Sequence, residues 1–298
     1  MTFNIAIGGH QGDPGDPLYT SPATVPLDHP ALPGPIAKAQ REDLQVLDYL
    51  STLAARGLAA HPLRVDEGGD PPDRMVGVGA DLWGLELTEL TIQDVRSTIA
   101  PMRHAGRDLA RRLREDKHAY DHLVGRAVQW TIFDEVTSHT IDVAAEALRD
   151  DRGVVNQAIT FGPSGEPPAT LDTSTGFYTD IPGATILVYA AGTAGPVTVT
   201  VGSTFRVLRS EATDLMAKRI ARKDTGAARA LLLTAGLPDE TGHVCPFDTW
   251  LFQHLADESV LTSLPEPTHL DYIAISLWGT GSVIEAFSRS RPPWLRPT

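Results

Sequence analysis

Residues Pro71 to Leu90, PPDRMVGVGADLWGLELTEL, decide how the chain is read. Two short apolar runs, Met75 to Val78 and Leu82 to Leu87, flank Gly79-Ala80-Asp81, the pattern of a hairpin in which strand formers meet turn formers. In the second run Trp83, Leu85 and Leu87 alternate with Gly84, Glu86 and Thr88. A strand here sends the apolar set to one face and Glu86 and Thr88 to the other. Asp73 stands at the mouth of the first run, so the hairpin brings it beside Glu86 at one end of the sheet. Two converging carboxylates are costly unless a cation or hydrogen-bond donors offset them. An oxygen-only pair with room for water suits Mg²⁺ or Mn²⁺ better than Zn²⁺.

An acid after prolines, a short strand, a turn, and a strand ending in acid-apolar-polar resembles the metal-binding core of the PD-(D/E)XK nuclease superfamily. Pro72-Asp73 matches the first half and Glu86-Leu87-Thr88 the second. The chain departs from the pattern at Thr88, where the family has lysine. The resemblance implies a restriction-endonuclease-like α/β fold with a central mixed sheet flanked by helices, and a Mg²⁺-dependent phosphodiester hydrolase acting on DNA. It also implies that a helix ahead of the hairpin lends a glutamate to the metal; by position this is Glu42. Asp73, Glu86 and Thr88 then form the catalytic set, and Lys218 on a later helix is the expected source of the missing positive charge.

The elements around the hairpin follow that order. Ile36, Leu44, Leu47, Leu50 and Leu53 recur at helical spacing over residues 36–58, and Gly57 stops the helix. His61 to Val65 reads as a short strand. Late in the chain, Glu211 to Lys223 reads as a helix carrying Lys218, Arg219, Arg222 and Lys223. The run Ala230 to Thr234 then reads as a buried strand, Phe247 to Leu255 as a short helix, and Leu270 to Trp278 with Val283 to Phe287 as paired strands. Residues 36–92 and 205–298 are therefore expected to form one core, carrying 93–204 as an insertion. Residues 1–35 read as an arm whose prolines break regular pairing, and the tail at Trp294 as irregular.

Within the insertion, Met102 through Val128 has an amphipathic pattern, with Arg103, Arg107, Arg111, Arg114, His118 and His122 stepping by three or four. This stripe is either a face that tracks DNA phosphates or a solvated surface partly neutralised by Asp108, Glu115, Asp116 and Asp121. His118 and His122 have zinc-ligand spacing but lack the glutamate of a zinc-protease helix. A helix over Ile141 to Leu148 and a hairpin pairing Ile186 to Tyr189 with Val197 to Val201 complete the insertion.

Composition limits the choices. A formal charge of −13 and a pI near 5.1 exclude general coating of nucleic acid, so any such site must be local. The lone Cys245 forbids an intrachain disulfide and fits a reducing compartment. The N-terminal residues lack a basic signal region and no apolar run is long enough to span a bilayer, so a cytoplasmic protein is expected. Gly8 to Gly12 lacks the Gly-Lys-Ser/Thr ending of a phosphate loop, and Ser164 lacks a nucleophile-elbow pattern. Two other readings stay open: an inactive nuclease-like fold serving as a binding or scaffold protein, and an unrelated α/β domain in which the acidic hairpin is coincidental.

Overall fold

In the computed structural model the described residues are 17–25, 35–132, 135–150, 177–190, 195–244, 248–249, 251–253 and 259–297. They fall into two compact units, one drawn from 1–29 and 93–208, the other from 30–92 and 209–298. Each is a sheet with helices packed on it, so both are mixed α/β. The second break falls at 208/209 rather than 204/205, because strand β8 (Thr198–Leu208) runs straight into helix α4 (Arg209–Lys223).

The unit that carries the hairpin is a mixed six-stranded sheet. Its strands are β2 (Leu63–Glu67), β3 (Arg74–Val78), β4 (Asp81–Leu90), β9 (Ala230–Ala235), β10 (Tyr272–Leu277) and β11 (Ser282–Ser288), in the order β11-β10-β9-β4-β3-β2. β4, β9 and β10 run parallel, β3 and β11 are antiparallel to them, and the edge strand β2 is antiparallel to β3. All six residues of β9 and of β10 are buried, as parallel strands covered on both faces require.

Helix α1 (Lys38–Ala55) covers one face. Val46, Tyr49, Leu50 and Leu53 recur at three- and four-residue steps and enter a core with Trp83, Leu85, Leu87, Leu232 and Ala274. Leu47, expected on that face, is exposed. The helix ends two residues before Gly57, whose φ of +69° reverses the chain at little cost. The tail is irregular but central. Trp294 is fully buried, donates from its indole N–H to the Tyr49 hydroxyl at 3.0 Å, and stands edge-on to Trp83 and Tyr272.

The other unit is a five-stranded sheet of β1 (Pro17–Val25), β5 (Arg126–Ile132), β6 (Phe177–Ile181), β7 (Ala184–Ala190) and β8, ordered β1-β8-β5-β7-β6. Helices α2 (Gln93–Glu115) and α3 (Ser138–Asp150) supply Leu109, Leu113, Ala144 and Leu148 to a core centred on Trp130. Three expectations are corrected here. Part of the proline-rich arm is an edge strand, antiparallel to β8, a position where proline is tolerated. The helix expected over Met102 to Val128 ends at Glu115, and Arg126–Ile132 is instead a strand. β7 and β8 do not pair with each other, because β5, buried at Ala127, Val128, Trp130, Thr131 and Ile132, takes the central place between them. The readings at Gly8 to Gly12, Ser164 and Cys245 lie outside the described residues, as does part of the helix expected over 247–255. Among the described residues no helix is long and apolar enough to cross a membrane.

Candidate active site

The site begins with a mismatch in strand length. β3 pairs with β4 only from Arg74↔Leu85 to Val78↔Asp81, while β4 continues to Leu90. Beyond Leu85 the edge of β4 on that side has no strand partner, and a buried N–H left so would be costly. Asp73 fills the gap: its Oδ2 accepts a hydrogen bond from the Leu87 backbone N–H at 2.8 Å. Continuing the register one step past Arg74↔Leu85 puts Asp73 opposite Glu86, and opposed residues of an antiparallel pair share a face. Gly84 permits the approach, since a Cβ there would stand 2.9 Å from Cγ of Pro72.

Glu86 is 3% exposed, on the face of β4 away from α1, so its charge needs a partner. The partner is Lys223, in the last turn of α4, which donates to Glu86 Oε2 and lies 3.7 Å from Asp73 Oδ2. Burial raises the Glu86 carboxyl above its ordinary range; Lys223 pulls it down, and the charge and hydrogen bond of Asp73 push it up. Two carboxylates and one ammonium therefore share the end of the hairpin.

Lys218, the expected donor, is exposed, and Lys223 is the lysine of α4 that reaches the two carboxylates. The reason is helical geometry. α4 buries Ala212, Met216 and Ile220, and Lys223 is three residues beyond Ile220 on that face, whereas Lys218 is two beyond Met216 and points away. This spacing was present in the sequence and sets Lys223, with Arg219, apart from Lys218. The end of α4 is then fixed by Asp224, whose carboxylate accepts from the backbone N–H groups of Thr268, His269 and Leu270 at 2.6, 2.7 and 2.9 Å.

Glu42 does not join the pair. Its Oε2 accepts from Arg74 Nη1 at 3.1 Å and its Oε1 lies 3.4 Å from Lys38 Nζ, while Arg74 also holds Asp43 at 2.8 Å. Among the described residues no three His, Cys, Asp or Glu side chains form a group able to hold a metal. The third carboxylate expected at the metal is thus engaged by an arginine that sequence reading left unassigned. Thr88, 8% exposed, lies two residues beyond Glu86 on the same face, and its carbonyl accepts from Gln45 at 3.4 Å. It lines a cleft of about 280 Å³ with Lys38, Arg41, Glu42, Gln45 and Arg219.

The arginine stripe of α2 does not form a free cationic face. Arg103 is buried at 9% exposure, Arg111 pairs with Asp108 at 3.0 Å, and Arg114 donates to the Val197 carbonyl. Arg107 is exposed and bonded to His104. His118 follows the end of the helix, and His122, in a short 3-10 turn, contacts the Leu148 carbonyl, so the two do not share a helix face.

Compared with family models, with curated proteins and with solved structures, the chain matches none.

Proposed function

We propose that the chain is a metal-dependent phosphodiester hydrolase acting on DNA, built on a restriction-endonuclease-like core. The observation that carries this reading is the set Asp73, Glu86 and Lys223 gathered where β4 outruns β3. Asp73 and Glu86 fit Mg²⁺ or Mn²⁺, which are commonly held by one or two carboxylates with water completing the shell. Bound there, the ion would lower the pKa of a water and offset charge building on the phosphate. The protein's own contribution is Lys223, an ammonium fixed by two carboxylates and able to stabilise phosphate oxygens as their charge grows. It supplies the charge that Thr88 cannot. Thr88 contributes a hydroxyl to the cleft wall, where it can orient a water.

The alternative is a catalytically inactive nuclease-like fold that binds or scaffolds. One observation favours it: Lys223 already compensates Glu86, and Arg74 already holds Glu42, so the carboxylates are stable without a metal. A plasmid-nicking assay with Mn²⁺ separates the two. The hydrolase reading expects cutting by the wild type and none by Asp73→Ala or Glu86→Ala, with calorimetric Mn²⁺ binding lost in both. A folded wild type that cuts neither DNA nor RNA under any divalent ion would leave the binding protein.

A further inference from the structure

The cleft beside Thr88 contains more charge than the carboxylate–lysine set uses. Its ionic side chains are Lys38, Arg41, Glu42, Glu89 and Arg219. Arg41 pairs with Glu89, and Lys38 with Glu42. Arg219 has neither a carboxylate nor a hydrogen-bond partner among the described residues, and its Nε is buried without one. Burial and the neighbouring Arg222 lower this guanidinium from its ordinary value, which means the cation is held where it gains from an added anion.

Its position narrows the anion. Arg219 precedes Lys223 by four residues, so the two stand on one face of α4 about 6 Å apart along the axis. Thr88 follows Glu86 by two residues, about 7 Å along β4. Helix and strand thus carry two matched stations: Lys223 with Glu86, and Arg219 with Thr88. That repeat is of the order of the separation between consecutive phosphates of an extended strand. The cleft is lined by backbone-contacting and charged groups rather than a stacking platform, which suits a phosphate and not a base.

We propose that Arg219 and Thr88 form a subsite for the backbone phosphate adjacent to the one at Asp73 and Glu86. The identity of the anion as a DNA phosphate rests on the hydrolase reading above. The subsite positions the strand and carries no sequence preference, because phosphate contacts fix register without reading bases.

The test is binding of a short fluorescein-labelled oligodeoxynucleotide in EDTA, followed by anisotropy across a salt series, for wild type, Arg219→Ala, Arg219→Gln and Arg219→Lys. Removing one phosphate contact should weaken binding about tenfold at low salt and reduce the slope of log K against log salt by about one. Arg219→Gln, which keeps a polar side chain without the charge, should lose the same slope, and Arg219→Lys should restore it. A merely structural arginine would shift affinity without changing the slope. Arg219→Ala and Arg219→Gln binding with the wild-type affinity and slope would overturn the subsite, whether or not the protein cuts. If the slope falls as expected while no Mn²⁺-dependent cutting is seen with any variant, the subsite stands and the hydrolase reading falls.

Discussion

Helices α2 and α4 are both rich in basic residues, yet only α4 directs them toward a buried acid and a cleft. On α2 the arginines are spent locally: Arg111 on Asp108, Arg112 on Asp142, Arg114 on the Val197 carbonyl, with Arg103 buried. On α4, Lys223 and Arg219 lie along the seam where the helix meets β4, and what they meet there is a buried acid and a cleft. The difference lies in what each helix packs against. α2 covers a sheet whose facing residues are apolar, and its arginines find their partners elsewhere: Asp108 on the helix itself, Asp142 on α3 and the Val197 carbonyl ahead of β8. α4 covers a strand that places Glu86 and Thr88 among its buried positions, which draws basic side chains inward. A row of cations in a sequence says little until the opposing surface is known.

The sharpest way to break this contrast is to move the lysine. In the nicking assay Lys223→Ala should lose at least about a hundredfold in rate, the scale of removing one positioned charge from a phosphoryl-transfer site. Lys218→Ala, five residues away and exposed, should cut as the wild type does. The reverse result would return the role to Lys218 and separate Lys223 from the chemistry. If both variants keep full activity, the charge on the phosphate comes from elsewhere.

A smaller effect is expected one residue further on. Asp224 anchors the end of α4 through three backbone N–H groups, and although burial raises its carboxyl, those donors hold it below the ordinary range. A carboxylate depressed in the fold adds stability above its unfolded pKa, and that contribution fades as pH falls through the folded value. Asp224→Ala should therefore cost about 1–2 kcal/mol near neutral pH, allowing for solvent at a partly exposed site. The gap to wild type in thermal melts should close as the pH drops below about 4. A gap that widens under acid would mean that the three hydrogen bonds are not what Asp224 contributes. Activity should fall with stability unchanged in Asp224→Asn only if the anchor also sets the position of Lys223.

Much of the second unit could be read from residues because its signals were local. The alternation of Trp83, Leu85 and Leu87 against Glu86 and Thr88 specified a strand with two different faces, and Gly79 with Asp81 marked the turn that sets the register of Asp73. Lys223 was missed for lack of a helical-wheel comparison, not for lack of information. Arg74's hold on Glu42 could not be read, since it depends on how α1 lies against β3. Trp294 was equally opaque: an irregular, proline-bearing tail gives no periodicity, and only the space between Tyr49 and Trp83 shows that an indole fills it. The sheet order of the first unit failed for the same reason. Ile186 to Tyr189 and Val197 to Val201 are close in sequence, which favours a hairpin locally, but burying β5 on both sides outweighs that proximity.

The weakest expected effect tests the other half of the contrast. Arg107 and Arg111 are exposed members of the α2 row, and each already has a neighbour on its own helix, His104 for one and Asp108 for the other. An exposed i,i+3 pair contributes a few tenths of a kcal/mol and is screened by salt. The double change Arg107→Ala with Arg111→Ala should therefore leave stability within about 0.5 kcal/mol of wild type. It also removes two formal positive charges from an acidic protein, so a small general loss of DNA affinity, about twofold, is expected from the long-range field alone. That loss should fade as salt rises and alter the salt slope by only about 0.3, well short of the change of about one per lost contact, because no phosphate contact is removed. The distinction from Arg219 then lies in the slope rather than the affinity. A double variant that lowers the slope by about two would place the phosphate-tracking face on α2, and the charge row that the sequence displays most openly would be the functional one after all.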